Sequence, residues 1–375
     1  MADPDPMDLL AVPFETGELA PPEPGGLLVL RARPGSRFAR DALVCEQGLR
    51  PLHDALAAEG RVVHPALPDD AGPFPMAAVA LTRARDETQA NFARAWALTR
   101  PGGTVLAAGP KTDGIESLQK ALRREGLAVE ARPMKHGRIL TVTREDRTPD
   151  RFADWAAAAV PTPTAKGPDG TVFHTCAGVF SRDGVDPGSA MLAAALPELK
   201  GAGADLGAGW GFLSAAALAQ PTVTAVELIE ADHAALACAR LNLTDPRAGF
   251  RWADARTPGL AVGKLDWVIA NPPFHDGREL AVSLGEAFLA TAARILKLSG
   301  QLIVVANRTL PYDRTLGELF GEVEEIAGDR VYKVLAARKP KPKPKPGSGP
   351  RARTGAGGGD GSRPGPRGRI PQRGR

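Results

Sequence analysis

A short apolar segment, Leu265–Ala270, runs directly into the sequence Asn-Pro-Pro-Phe at residues 271–274, and this junction strongly constrains the fold. An apolar run with β-branched members is typical of a strand that is covered on both faces of a sheet. Neither proline can donate a hydrogen bond to a neighbouring strand, so the chain must leave the sheet at Asn271. A residue before proline favours extended geometry, which holds the Asn271 amide at the carboxyl edge of the strand. The junction therefore predicts an open α/β sheet with ligand-binding groups at this edge.

Two stretches of the chain repeat the same order of elements. Residues 100–122 and 297–319 each read as a turn, a buried strand, a polar loop and a helix. The first copy has Leu81-Thr82-Arg83 where the second has Asn-Pro-Pro, and it contains no glycine-rich turn. We therefore expect an α/β chain with two tandem Rossmann-like domains, of which the N-terminal copy has lost its small-molecule site. Two unrelated α/β domains with a common rhythm are the alternative.

Composition sets the expected boundaries of these domains. The chain has 375 residues, which is enough for two ordinary domains and a tail. The expected segments are a flexible N-terminus (1–26), a degenerate domain (27–143), a linker (144–170), a catalytic domain (171–337) and a disordered basic tail (338–375).

Charge is distributed unevenly along the chain. The segment 338–375 holds 12 of the 47 Lys and Arg residues and one of the 43 Asp and Glu residues, so it carries +11 and the remainder carries −7. Its Lys-Pro and Arg-Gly pairs are typical of segments that bind nucleic acid, although a solubilising tail has the same composition. We expect the tail, and not the acidic body, to supply the attraction for a nucleic acid.

Cysteine spacing and apolar content indicate the compartment. Cys45, Cys176 and Cys238 form no Cys-x-x-Cys pair, which argues against a disulfide framework and a structural zinc site. The N-terminus resembles no signal segment, and no apolar run has the length of a membrane span. We therefore expect a soluble cytoplasmic protein that binds neither a metal nor a membrane.

A second motif places one acid and three alternating glycines between an apolar strand and a helix: Asp205, Gly207, Gly209 and Gly211. Glycines allow positive φ and the close approach of a ligand, and a helix N-terminus offers free N–H groups. We expect these four residues to bind a cofactor. A dinucleotide-binding turn needs glycine or alanine where this chain has Phe212, which disfavours a nicotinamide oxidoreductase.

Two further acids follow the next two predicted strands. Glu227 comes 22 residues after Asp205, at the predicted end of the strand 223–226, where a carboxylate would hold ribose hydroxyls. Asp254 follows the next short strand and is expected to contact an adenine amine. Solvated acids at strand ends are the alternative for both residues.

Together these motifs resemble those of class I S-adenosylmethionine-dependent methyltransferases. The sequences GVFSRDGVDPGS (178–189), NPPFHDG (271–277) and VANRTLPY (305–312) are similar to those of bacterial ribosomal RNA guanine-N2 methyltransferases. The resemblance is strong over residues 170–337 and weak over 27–143. It implies a seven-stranded catalytic domain with a degenerate N-terminal twin, and S-adenosylmethionine as the cofactor.

The chain departs from the family pattern by having Ala208 and Trp210 inside the glycine turn, which bears on cofactor affinity. Residues 181–184 are similar to those of the small-subunit enzymes, and residues 306–308 to those of the large-subunit enzymes. The resemblance favours 16S rRNA as the substrate and leaves 23S rRNA open. It implies ribosomal RNA or a ribosomal subunit as the partner of a monomeric enzyme.

The resemblance also implies roles for the residues of the Asn-Pro-Pro-Phe turn. The Asn271 side-chain oxygen and the Pro272 carbonyl would accept both N–H groups of the guanine amine. Asn271 would also contact the cofactor, and Pro273 would keep the turn rigid. Phe274 would stack on a base that is flipped out of its helix. His275 is expected to shape the loop, and a role as a base is the less favoured alternative.

Upstream of the glycine turn, Phe180 and Arg182 are expected to close over cofactor or RNA. Two other functions stay open at this stage. The first is that of a methyltransferase of the same fold that acts on adenine N6 or on a protein glutamine. A non-catalytic RNA-binding or ribosome-assembly protein is expected if the substitutions in the glycine turn abolish cofactor binding.

Overall fold

Two seven-stranded sheets with the same strand order organise the chain, which confirms the predicted α/β class with two Rossmann-like domains. The computed structural model describes residues 3–257, 260, 262–273 and 278–341, and residues up to 341 belong to one compact unit. Over these ranges, no helix is long and apolar enough to cross a membrane, and no group of acidic, histidine or cysteine side chains is arranged to hold a metal ion.

The N-terminal sheet has the order β3-β2-β1-β4-β5-β7-β6. Its strands are β1 (Leu27–Leu30), β2 (Leu43–Glu46), β3 (Val62–His64), β4 (Phe74–Ala80), β5 (Thr99–Pro110), β6 (Glu130–Met134) and β7 (Gly137–Thr143). The helices of this half are α1 (Pro6–Glu15), α2 (Arg50–Ala58), α3 (Arg85–Leu98), α4 (Ile115–Arg124) and α5 (Arg151–Ala158).

A hairpin of β8 (Thr162–Lys166) and β9 (Val172–Thr175) leads to the second sheet, whose order is β12-β11-β10-β13-β14-β16-β15. Its strands are β10 (Gly201–Leu206), β11 (Val223–Glu230), β12 (Ala248–Trp252), β13 (Leu265–Ala270), β14 (Leu296–Asn307), β15 (Phe320–Gly328) and β16 (Tyr332–Pro340). The helices are α6 (Pro187–Ala194), α7 (Phe212–Leu218), α8 (His233–Asn242), α9 (Arg278–Ile295) and α10 (Tyr312–Leu319).

The register of the second sheet brings the two sequence motifs together. Strand β13 lies between β10 and β14, both parallel to it, and is buried as its apolar sequence predicts. Asp205 is level with Ile269, and Leu206 is level with Ala270. The glycine turn and Asn271 therefore leave neighbouring strands at the same carboxyl edge, where open α/β sheets bind ligands.

Two local expectations from the sequence are wrong, in each case because distant residues decide the structure. Residues 6–15 of the supposedly flexible N-terminus form α1, whose Met7 and Leu10 are buried in the N-terminal core. The supposed linker contains α5, whose Phe152 packs between the rings of Trp96 and Trp155. Amphipathic stretches of this length take the structure that tertiary burial stabilises.

The N-terminal half contacts the catalytic half directly beside the turn that follows β11. Leu49 and Asp232 form an antiparallel bridge, in which the Arg50 amide donates to the Ala231 carbonyl at 2.8 Å and the His233 amide to the Gly48 carbonyl at 2.9 Å. This cross-domain bridge is covered by Trp252. Its indole N–H lies within hydrogen-bond distance of the Ala231 carbonyl (2.8 Å) and the Gly48 carbonyl (3.1 Å).

A second contact between the halves uses the carboxyl edge of the N-terminal sheet, where a catalytic copy would hold its ligand. Glu87 accepts from Thr82 at 2.7 Å and pairs with Arg31 at 2.9 Å. Gly178 has a φ of 85°, and a Cβ there would lie 2.6 Å from the Glu87 carboxyl carbon, so glycine is favoured at this contact. This edge of the N-terminal sheet is filled by its own side chains and by the start of the catalytic domain.

Candidate active site

The glycine turn is built as its sequence predicts. Gly207, Gly209 and Gly211 have φ values of 73°, 55° and 93°, which place all three in the left-handed region, and α7 begins immediately after Gly211. A Cβ on Gly209 would meet nothing within 4 Å, so the backbone is open to a ligand at that point. The turn therefore leaves room for a cofactor to lie against the main chain.

Asp205 lies at the base of this turn and is fully buried. Its Oδ2 accepts from the Ser214 hydroxyl at 2.8 Å, whereas Oδ1 has no hydrogen-bond partner among the residues that the structure describes. Burial raises the pKa of Asp205 to about 7, and the Ser214 hydrogen bond opposes this shift in part. A buried carboxylate oxygen without a donor suits a ligand that brings an N–H or a positive charge.

The predicted end of β11 at Glu227 is wrong, so the structure does not support the expected ribose contact at that residue. The strand continues to Glu230, and Glu227 lies opposite Ala204 in mid-strand, where it pairs with Arg251 at 2.7 Å. The apolar residues Leu228 and Ile229 were the sequence signal that the strand continues.

Glu230 instead occupies the carboxyl end of β11. Its Oε2 accepts from the Gly209 amide at 2.7 Å and its Oε1 from the Asp232 amide at 2.8 Å. Burial raises the pKa of Glu230 to about 7. A carboxylate has about four acceptor sites, so this group can accept a further hydrogen bond, such as one from a ribose hydroxyl.

Asp254 lies two residues past the end of β12, as expected, and forms an ion pair with Arg256. Asp254 Oδ1 also accepts from the Arg256 amide at 2.9 Å. Because these contacts are to Arg256, the structure adds no direct support for the predicted adenine contact.

Asn271 leaves the end of β13 and lines a cleft together with the glycine turn. Its side-chain Nδ2 donates to Asp186 Oδ2 at 3.0 Å and to Ser189 Oγ at 2.8 Å. Its Oδ1 is buried and has no hydrogen-bond partner within the described ranges. The side chain that the sequence singled out therefore carries an acceptor with unused capacity. Its two partners, Asp186 and Ser189, were not anticipated from the sequence.

The segment before α6 forms one wall of the cleft. Phe180 is about half exposed there (48%), and its carbonyl accepts from the Trp210 indole at 3.0 Å. The unusual Trp210 of the glycine turn therefore anchors this wall. Arg182 is not among the residues that line the cleft: its guanidinium pairs with Asp86 of the N-terminal domain, so the structure adds no support for the expectation that it closes over cofactor or RNA.

The remaining residues of the predicted turn divide into two groups. Pro272 is buried and Pro273 is exposed. Phe274 and His275, predicted to bind the substrate base and shape the loop, lie outside the described residues.

The strand order and the ligand-binding edge define an S-adenosylmethionine-dependent methyltransferase of class I. Residues 170–336 match the family model "Methyltransferase small domain". The ribosomal RNA small subunit methyltransferase C of Shewanella oneidensis is 34% identical over 240 residues, which cover 62% of this chain and 68% of that protein. Its counterpart in Shewanella amazonensis is 32% identical over 250 residues, which cover 65% and 71%. This chain belongs to the ribosomal RNA small subunit methyltransferase C family.

A solved structure extends the similarity to most of the chain. The T. thermophilus 16S rRNA N2 G1207 methyltransferase (RsmC), in complex with AdoMet and guanosine, superposes with a TM-score of 0.70 and 27% identity, covering 86% of this chain and 90% of that one. The cofactor of the present enzyme is S-adenosylmethionine, and the site fits it. The open backbone at Gly209, the unpaired oxygen of Asp205 and the carboxylate of Glu230 suit its amino group and its ribose.

Proposed function

We propose that this enzyme transfers a methyl group from S-adenosylmethionine to the exocyclic N2 amine of a guanine in 16S rRNA. The observation that carries the proposal is the unpartnered, buried Oδ1 of Asn271 in the same cleft as the glycine turn. Family membership and the similar T. thermophilus enzyme, whose structure includes guanosine, support guanine as the target. The target position that best fits this support is the one corresponding to G1207.

The acceptors of the turn account for how a weak nucleophile is made to react. The lone pair of the guanine amine is delocalised into the ring, so the nitrogen must become pyramidal before it can attack. The Asn271 Oδ1 and the Pro272 carbonyl would accept its two N–H groups and favour that geometry. S-adenosylmethionine supplies an activated methyl group on a sulfonium, so the protein residues mainly provide alignment and no strong base is needed.

The cofactor would be held by residues from three strand ends. Asp205 Oδ1 would accept from the amino group, and Glu230 would accept from the ribose hydroxyls. The Asp254 carboxylate would accept from the adenine amine as well as from Arg256. The glycines at 207, 209 and 211 allow the close approach that these contacts require.

The RNA side of the site completes the proposal. Phe274 would stack on the flipped guanine, Phe180 would close the cleft from the other wall, and His275 would shape the loop between them. We further propose that the enzyme works as a monomer in the cytoplasm, with 16S rRNA or the small ribosomal subunit as its partner.

The test is a methylation assay with methyl-labelled cofactor. Unmodified 16S rRNA, 23S rRNA and the two ribosomal subunits would be offered separately, then digested to nucleosides and analysed by mass spectrometry. We expect N2-methylguanosine from the small-subunit substrates, and its loss in the variant Asn271→Ala. Label in N6-methyladenosine, in protein or in 23S rRNA would contradict the proposed substrate.

A further inference from the structure

The side-chain amide of an asparagine has two ends of nearly equal size but opposite function. The oxygen accepts hydrogen bonds, whereas the nitrogen donates them. In the proposed reaction Asn271 must present its oxygen to the amine of the base, because two N–H groups that face each other repel. A 180° turn of this amide would therefore place a donor where an acceptor is needed, without any change in the backbone.

The neighbours of Asn271 decide which end faces the cleft. Asp186 Oδ2 and Ser189 Oγ both accept from Asn271 Nδ2, at 3.0 and 2.8 Å. The Ser189 hydroxyl can donate or accept, so by itself it would tolerate either orientation. An ionised Asp186 can only accept, and it would repel the Asn271 oxygen if the amide were reversed.

Asp186 is itself fixed by the start of α6. It is the N-cap of that helix, where its Oδ2 also accepts from the Ser189 amide at 2.8 Å, and Pro187 occupies the first helical turn. A Cβ on Gly188 would lie 3.0 Å from Asp186 Oδ2 and 3.2 Å from the Tyr332 ring. The sequence Asp-Pro-Gly-Ser at 186–189 therefore holds one carboxylate oxygen against both the helix and Asn271. Asp186 is only 7% exposed, so water competes little for it.

From this arrangement we propose that Asp186 is a positioning residue, which orients the Asn271 amide so that its oxygen faces the substrate amine. The inference rests on the proposed function, because it assigns a cause to the acceptor that the methyl transfer needs. It links α6, which precedes the first strand of the catalytic sheet, to the turn after the fourth strand.

The capping role of Asp186 provides a sharp test. Asparagine and serine are as good as aspartate at an N-cap, so Asp186→Asn and Asp186→Ser should preserve α6 and the Tm. An asparagine at position 186 can present either its oxygen or its nitrogen to Asn271, so it would tolerate both orientations of that amide. A serine is too short to replace the carboxylate. We expect both variants to lose kcat for N2-methylguanosine formation by on the order of 100-fold, as misplacement of a reacting group does. The Kd for S-adenosylmethionine, measured by calorimetry, should stay within about twofold of wild type, because Asp186 has no place in the cofactor contacts proposed above.

Ser189→Ala is the matched control. It removes the second acceptor of Asn271 Nδ2 but keeps the carboxylate that excludes the reversed amide, so we expect a loss in kcat of less than about tenfold. Gly188→Ala gives an independent perturbation: it keeps the charge of Asp186 but crowds its Oδ2, and we expect kcat to fall with the cofactor Kd unchanged.

The outcomes separate this inference from the proposed function. If wild-type enzyme makes no N2-methylguanosine, the proposed function fails before any variant is compared. If wild type is active and a folded Asp186→Asn or Asp186→Ser variant keeps kcat, the inference is overturned. A fall in Tm that accounts for the lost activity of both variants would also overturn it, because Asp186 would then act on the helix alone. If one variant fails to fold, the other and Gly188→Ala decide.

Discussion

At the scale of single residues, two carboxylates at the cofactor cleft are held in surroundings that oppose their ionisation. Burial raises the pKa of both Asp205 and Glu230 to about 7, far above the usual carboxyl range. Each also lies close enough to backbone amides or a hydroxyl to be held in place. Burial of these two carboxylates therefore lowers the stability of the fold, and their hydrogen bonds are completed only when a ligand brings donors to them.

The raised pKa of Asp205 predicts a pH-dependent gain in stability for Asp205→Asn. Between the usual carboxyl range and about pH 7 the folded protein binds more protons than the unfolded chain, so its stability falls as pH rises from that range to about 7. Asparagine removes this ionisation. We expect thermal unfolding to show a Tm that rises by about 2–4 °C at pH 8 relative to wild type, and by less at pH 5.5. An equal effect at both pH values would contradict the explanation. The variant should bind S-adenosylmethionine more weakly.

Glu230 and Glu227 give a matched pair of variants for the ribose contact. Glu230→Gln should raise the cofactor Kd by roughly 10- to 100-fold, because hydrogen bonds to a charged group contribute about 1.5–3 kcal/mol. Glu227→Gln changes an ion pair in mid-strand and should leave the Kd within about twofold. Calorimetric titration of both variants with S-adenosylmethionine checks this. The reverse ranking would restore Glu227 as the ribose ligand.

At the scale of elements, the sequence predicted best where local pattern and burial agree. Strand β13 and its proline stop, the glycine turn and the repeated α/β order all follow from periodicity and backbone chemistry. Helices α1 and α5 did not, because their proline- and alanine-rich sequences are helical only through contacts with a distant core. The link between Asp186 and Asn271 joins residues 85 positions apart, and no local pattern encodes such a distance.

The cross-domain bridge predicts that a residue of α2 affects the cofactor site. Arg50 lies with its guanidinium carbon 4.8 Å from the centre of the Trp252 ring and donates to the Trp252 carbonyl at 3.2 Å. We expect Arg50→Ala to lower the free energy of unfolding by about 1–2 kcal/mol and to weaken cofactor binding measurably, since residues 231–233 follow Glu230 directly.

Arg151→Ala is the control for this prediction. Arg151 is an exposed helical arginine paired with Asp154 three residues on, and its loss should cost less than about 0.5 kcal/mol. Denaturant unfolding and calorimetry on both variants provide the measurement. If Arg50→Ala behaves like Arg151→Ala, the bridge does not support the cofactor site.

At the scale of the whole molecule, the distribution of charge along the chain bears on how the protein attracts RNA. Strand β16 runs to Pro340, and the Lys341 amide donates to Leu319, so the folded unit includes the first residues of the basic segment. Residues 342–375 carry nine Lys and Arg residues and one acid. We propose that these residues attract RNA to an otherwise acidic protein.

Deletion of residues 342–375 should therefore raise the KM for RNA at moderate salt and leave the cofactor Kd unchanged. The difference from wild type should shrink as salt increases, because release of counterions drives this part of binding. A variant with the same length and glutamine at the nine basic positions separates charge from chain length. An RNA KM that stays at the wild-type value in both proteins would show that the tail has another purpose.

The filled edge of the N-terminal sheet has a consequence for how such a protein can evolve. Glu87, Thr82 and Arg31 occupy the place where a working copy would bind its ligand, and Gly178 of the catalytic half fits against them. The edge that would bind a ligand in a catalytic copy thus serves here as a contact surface for the catalytic half. A mutation on one side of this contact is expected to require a compensating mutation on the other side, so the two halves should evolve together. An N-terminal half taken from a distant relative would therefore lack a contact surface complementary to this catalytic half.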